Sequence, residues 1–212
     1  MNFNGLLFFL ELIGSGAFAV SGVMVAKENH MDLFGAIVLG CVTAVGGGII
    51  RDLILGITPP SMFVDPVYVF CAFVVSLITF LIEYHPSPAL SEHEAESNFV
   101  LNVADTIGLA VFAVVGARTA MLHGYAQNSF LCVFVGTVTG IGGGILRDMM
   151  AGQMPLIMRE RIYGVAAIFG SMLYVLLMST MQEIPATFLS ILATILLRGM
   201  AIRFNWNLPR LH

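Results

Sequence analysis

The sequence is poor in charge. Only 10% of its 212 residues are Asp, Glu, Lys or Arg, against about 25% in an ordinary soluble domain. That leaves too few groups to face water around a globule. Basic residues are scarcer still: nine Lys and Arg against thirteen Asp and Glu give a net charge of −4. With no basic patch to neutralise phosphates, a nucleic-acid partner is excluded. The three cysteines, Cys41, Cys71 and Cys132, each stand alone in an apolar run, so there is neither a disulfide framework nor a CxxC zinc site. The five histidines (His30, His85, His93, His123 and His212) fall outside the apolar runs and lack metal-ligand spacing. GxxxxGK[ST], HExxH and GxSxG are all missing, and with them the signatures of the common phosphate-binding, zinc and serine enzymes. No enzyme, resident metal or cofactor is expected. The first twenty residues carry no Lys or Arg ahead of their apolar run, and Glu11 lies inside it. They read as a first membrane helix and not as a cleaved signal.

What is present is apolar. Hydrophobic residues make up 58% of the chain and the mean hydropathy is +0.93. A bilayer core takes about 20 apolar residues per spanning helix. Seven runs fit, at about 4–25, 32–56, 66–83, 99–121, 128–152, 162–180 and 185–204. They do not alternate apolar and polar residues as barrel strands would. The expectation is an all-α polytopic membrane protein, among lipids and with Trp206 at an interface. Lys27, Arg159, Arg161, Arg203 and Arg210 fall on one side of this arrangement, and only Arg118 lies near a helix end on the other. The positive-inside rule then places the N-terminus outside and the C-terminus in the cytoplasm of the inner (plasma) membrane.

The chain is duplicated. Residues 40–59 (GCVTAVGGGIIRDLILGITP) and 136–155 (GTVTGIGGGILRDMMAGQMP) are identical at eleven of twenty positions, at an offset of 96. At an offset of 94, Glu11, Gly14, Phe18 and Gly22 match Asp105, Gly108, Phe112 and Gly116. This spacing puts each set on one helix face. The resulting division is a first three-helix repeat at 1–83, an acidic linker at 84–98 with Glu92, Glu94 and Glu96, a second repeat at 99–181, and a seventh helix with a short tail at 182–212. Three spans is an odd number, so the second repeat enters the membrane from the opposite side. An inverted 3+3 pair of this kind builds a transport path at the repeat interface.

The chemistry concentrates at four places. Gly46, Gly47 and Gly48, and again Gly142, Gly143 and Gly144, interrupt membrane helices at a cost of about 1 kcal/mol per glycine relative to alanine. One reading is close helix packing through small-xxx-small ladders. The other is a kink or break whose carbonyls line a water-filled path. Arg51-Asp52 and Arg147-Asp148 follow one turn later. Together with Glu11 and Asp105 they are six ionisable groups, each costing about 2.5–3.5 kcal/mol at a helix centre, and so they must be paired, near an interface or facing water. Adjacent Arg and Asp point about 100° apart on a helix and cannot fully satisfy each other. Ser15, Ser21, Thr43 and Thr139 either line the same path or bond their own helix carbonyls.

Seven spans in a 3+3+1 pattern, with GGGxxRD in the second and fifth, resemble the trimeric intracellular cation (TRIC) channel family over nearly the whole chain. The resemblance implies a homotrimer with a pore inside each protomer. It also implies glycine-kinked second and fifth helices lining that pore, and conduction of monovalent cations such as K⁺, with K⁺ or Na⁺ passing transiently near the glycine triplets. The chain stops soon after its last helix, as in the prokaryotic branch, and lacks the charged tail of the animal members. Bacterial relatives also carry the label of glycine transporter, so a small amino-acid transporter using the same inverted repeat is the alternative.

Overall fold

The computed structural model describes residues 3–84, 94–159, 162–204 and 206, and the described residues contain helices and no strands. The helices are α1 (Phe3–Glu28), α2 (Leu33–Leu55), α3 (Ser61–Val64), α4 (Val67–Tyr84), α5 (Glu94–Ala120), α6 (Ser129–Met150), α7 (Leu156–Arg159), α8 (Tyr163–Leu177) and α9 (Glu183–Arg203), with a π-helical turn over Met121–Tyr125. Among the described residues, six segments are long and apolar enough to cross a membrane: those of α1, α2, α4, α5 continued to Tyr125, α6 and α9. A helix suits this setting because it satisfies every backbone N–H and C=O within itself. The chain is a polytopic membrane protein. Most of the expected linker lies outside the described residues. α5 begins inside its expected range, at Glu94.

Three details were not foreseen. The expected run 162–180 is the shorter helix α8, of 15 residues, about 22 Å long. It stops where the Ser179 and Thr180 hydroxyls turn back to the Leu176 and Leu177 carbonyls, at 2.7 and 3.1 Å. The breaks after α2 and α6 each hold a one-turn helix, α3 and α7. The third detail bears on the two readings of the glycines: α2 and α6 are α-helical without interruption through Gly46–Gly48 and Gly142–Gly144, so neither triplet breaks its helix. Helix propensities measured in water overstate the weakness of a glycine triplet inside a membrane. A freed backbone group there has no water to bond and costs several kcal/mol.

α2 and α6 are built to the same pattern from end to end. Asp32 caps α2 by accepting from the Gly35 N–H at 2.8 Å, and Asn128, 96 residues on, caps α6 by accepting from the Leu131 N–H at 3.0 Å. Past their C-terminal ends, Gly56 and Gly152 take left-handed backbone conformations, φ +70° and +68°. In both, the next residue's N–H reaches back to the carbonyl of the motif aspartate: Ile57 to Asp52 at 2.8 Å and Gln153 to Asp148 at 2.9 Å. Only glycine takes that turn without steric cost.

α1, α2 and α4 pack on one another, as do α5, α6 and α8. α1 meets α5 and α2 meets α6 between these groups, and α9 lies on α5 and α8. At the middle, residues matched by the repeat touch each other. Phe18 and Phe112 stack with ring centroids 5.4 Å apart. Gly108 faces the Phe18 ring and Gly14 faces the Phe112 ring. Gly47 lies against the Thr139 carbonyl and Gly143 against the Thr43 carbonyl, so a side chain at either would strike backbone. Gly46, Gly47, Gly142 and Gly143 are where α2 and α6 cross, which is the packing reading of those residues.

Candidate functional site

The polar residues collect into two clusters with the same parts. At the end of α2, Arg51 Nε donates to Asp52 Oδ1 at 2.8 Å, and Asp52 Oδ2 accepts from the Ser61 N–H at 2.7 Å. At the end of α6, Arg147 Nε donates to Asp148 Oδ1 at 2.8 Å, and Asp148 Oδ2 accepts from the Leu156 N–H at 2.7 Å. Each aspartate thus clamps the start of the following one-turn helix. The adjacent Arg and Asp do pair, through Nε alone, leaving the two terminal nitrogens of each guanidinium for other partners.

Those partners differ. Arg147 is fully buried. Its Nη1 donates to Asp105 Oδ1 at 2.6 Å and also to the Ser21 hydroxyl. Tyr163, buried, lies near Gly144 together with Asp105, and the Arg198 guanidinium sits over its ring, 5.1 Å from the centroid. This cluster is closed from solvent but incompletely bonded: Asp105 Oδ2, Arg147 Nη2 and the Tyr163 hydroxyl are buried without a hydrogen-bond partner among the described residues. Such groups are rare in native interiors and raise the energy of the arrangement that holds them.

In the first cluster, Glu11, the counterpart of Asp105, accepts from the Tyr68 hydroxyl instead. Among the described residues Arg51 Nη1 and Nη2 donate to nothing. The cluster opens into a cavity of about 310 Å³ whose wall includes Glu11, Ser15, Gly48, Arg51, Asp52 and Asp65. Three carboxylates face one guanidinium there, so the cavity carries net negative charge. Phe112, Ala44 and Val45 complete an apolar side.

The sequence-chosen residues therefore separate into four groups. Glu11, Ser15, Gly48, Arg51 and Asp52 line the cavity. Ser21, Asp105, Arg147, Asp148 and Gly144 form or border the closed cluster. Gly46, Gly47, Gly142 and Gly143 are buried at the α2–α6 crossing. Thr43 and Thr139 donate to their own helix, to the Leu39 and Val135 carbonyls, each at 2.6 Å. No group of three or more His, Cys, Asp or Glu that could hold a metal occurs among the described residues.

Sequence reasoning missed Tyr68, Tyr163, Asp65 and Arg198. A signal for the two tyrosines existed. Tyr68, Ala72 and Ser76 recur as Tyr163, Ala167 and Ser171 at an offset of 95, between the 94 and 96 of the other matches, so no single register shows all three.

Comparison with known proteins agrees with this layout. A family model described as "Glycine transporter" matches residues 8–84 and 102–179. The UPF0126 inner membrane protein YadS of Escherichia coli K12 is 36% identical over 207 residues, covering 96% of this chain and 95% of that one. A solved structure described as showing the basis for conductance through TRIC cation channels superposes with a TM-score of 0.84 at 37% identity, covering 100% of this chain and 98% of its own. The TRIC orthologue of Rhodobacter sphaeroides superposes with a TM-score of 0.84 at 33% identity, covering 95% and 99%. The doubled GGGxxRD helices, the two matching clusters and these likenesses have one explanation: the chain belongs to the family described by that model, the prokaryotic branch of the trimeric intracellular cation channel family.

Proposed function

We propose that the protein is a monovalent cation channel of the inner membrane, conducting K⁺ through a path inside each protomer of a homotrimer. The observation that carries this reading is the cavity at the end of α2, where Glu11, Asp52 and Asp65 face Arg51 alone. A carboxylate 4 Å from a cation is worth about 1 kcal/mol in water and about 4 at an effective dielectric of 20. Either value concentrates cations over chloride. From the cavity the path runs along α2 and α6 past Gly48 and the α2–α6 crossing, towards the closed cluster at Arg147. Seven spans arranged as an inverted 3+3 pair plus α9 put the cavity outside and the closed cluster on the cytoplasmic side, with repeats at 1–83 and 99–181, a linker at 84–98 and a final unit at 182–212. The reciprocal contacts Phe18–Phe112 and Gly47–Gly143 and the two matches of the family model support that division. The path is shut where Arg147 holds Asp105 and Ser21. The three unpartnered groups there would gain solvent on opening, which favours release.

A second reading, a small amino-acid transporter on the same repeat, is favoured by one feature: the cavity presents both signs of charge at one depth. The two are separated by recording purified protein in a planar bilayer under a KCl gradient, with and without glycine. A channel gives discrete currents that reverse towards the K⁺ equilibrium potential without glycine. Absence of current together with glycine uptake into vesicles would establish the transporter.

A further inference from the structure

α9 stands outside the duplication, and it meets the second repeat with a polar face. Thr187, Ser190, Thr194 and Arg198 lie on one side of the helix, each at most 2% exposed. Its outer side is apolar, with Phe188, Leu189, Leu192 and Leu196 exposed. A hydroxyl turned inward in a membrane protein has no bulk water to bond, so its partner must be internal. Thr194 finds one on its own helix, donating to the Ser190 carbonyl at 2.7 Å. Thr187 Oγ1 and Ser190 Oγ have none among the described residues, and neither has the Tyr174 hydroxyl. Tyr174, fully buried, reaches from α8 to lie beside Thr187 and Glu183. Three hydroxyls left unbonded in one patch would forfeit their hydration with no return.

The chemistry of the patch selects its occupant. Each of the three groups can both donate and accept, and a buried water typically makes about three hydrogen bonds. Thr187 and Ser190 are separated along α9 by a rise of about 4.5 Å, a gap that one bridging water spans. A cation is poorly served, because the carboxylate beside the patch, Glu183, is already held by Arg118 at 2.5 Å. The corresponding helix of the first repeat lacks the same parts. At the offset of 95, Gly170 and Tyr174 of α8 match Val75 and Thr79 of α4. Gly170 leaves the room that the Thr194 hydroxyl takes, room that a valine would fill. Tyr174 supplies the third hydroxyl, which a threonine is too short to bring. We propose that Tyr174, Thr187 and Ser190 form a binding site for an ordered water, and that this site, with Gly170, docks α9 on the second repeat and not on the first. The site lies away from α2 and α6 and does not depend on what the protein conducts.

The test is thermal unfolding of the purified full-length protein in micelles, with Thr187→Val, Ser190→Ala and Tyr174→Phe made singly and in pairs. Each single variant should lower the midpoint by about 2–4 °C. A pair should lower it scarcely further, because the first substitution already releases the water. Dry packing gives the opposite sign for Thr187→Val, which deletes an unbonded hydroxyl at nearly constant shape. A raised or unchanged midpoint there, or strictly additive pairs, would overturn the proposal. X-ray radiolytic labelling of the unaltered protein decides the matter even where a variant does not fold. A bound water yields hydroxyl radicals beside it, so Tyr174 is expected to be oxidised although it is buried, and an unmodified Tyr174 would overturn the site. So would a midpoint that rises when choline chloride is replaced by NaCl or KCl in the parent but not in the variants, since that result assigns the patch to a cation.

Discussion

Arg51 and Arg147 share a motif, a helix position and an Nε bond, yet side-chain exposure is 11% for one and 0% for the other. One methylene accounts for much of the difference. Asp105, the shorter acid, meets Arg147, whereas Glu11 extends to the Tyr68 hydroxyl. Ser21 then fills the second partner position on Arg147, and the residue matched to it by the 94 offset is Val115, which cannot hydrogen-bond. Removing one member of a buried charge pair leaves the other uncompensated, at a cost of about 3 kcal/mol or more. Asp105→Asn should therefore lower stability by about 3 kcal/mol, whereas Glu11→Gln, beside an open cavity, should change it by less than about 1 kcal/mol. Denaturant unfolding in micelles checks both. Equal losses would show that the two clusters are equally buried in the working protein.

At the scale of the helix, the glycine triplets are not uniform. Gly47 has the Thr139 carbonyl where a Cβ would go, and Gly143 has the Thr43 carbonyl, while a Cβ on Gly48 would meet only the end of Arg51, at 3.8 Å. Gly47→Ala should cost about 1–3 kcal/mol through overpacking. Gly48→Ala should be neutral or stabilising by up to about 1 kcal/mol through helix propensity. Thermal unfolding of the two single variants is the measurement. A matching loss at both positions would mean that the triplet acts as a bend and not as a contact. The sequence was informative here up to a definite limit. Identity at an offset of 96 located the triplets and the Arg-Asp pairs, because the same local chemistry makes the same local structure. It could not tell contact from break at Gly47, because that depends on which backbone crosses there. Nor could it tell that Glu11 and Asp105 turn to different partners, because that is settled by side-chain reach across α1, α4 and α6.

For the whole molecule, the proposed inverted arrangement and the asymmetry of Lys and Arg together imply one topology. In a background without Cys41, Cys71 and Cys132, a cysteine at Ser179 should react with an impermeant thiol reagent added outside intact cells. One at Ser91 should react only once the reagent reaches the cytoplasm. Reaction of Ser91→Cys from outside would reverse the orientation and exchange the two mouths. The charge count of the cavity belongs to this scale too, since three carboxylates from α1, α2 and the segment before α4 act together on whatever enters. The most direct test of the account is the reversal potential of the purified protein in a KCl gradient, compared with that of Glu11→Gln combined with Asp65→Asn. The account predicts cation-selective current in the parent protein and a clear fall in K⁺ over Cl⁻ permeability in the variant. A conducting variant with an unchanged ratio would contradict it.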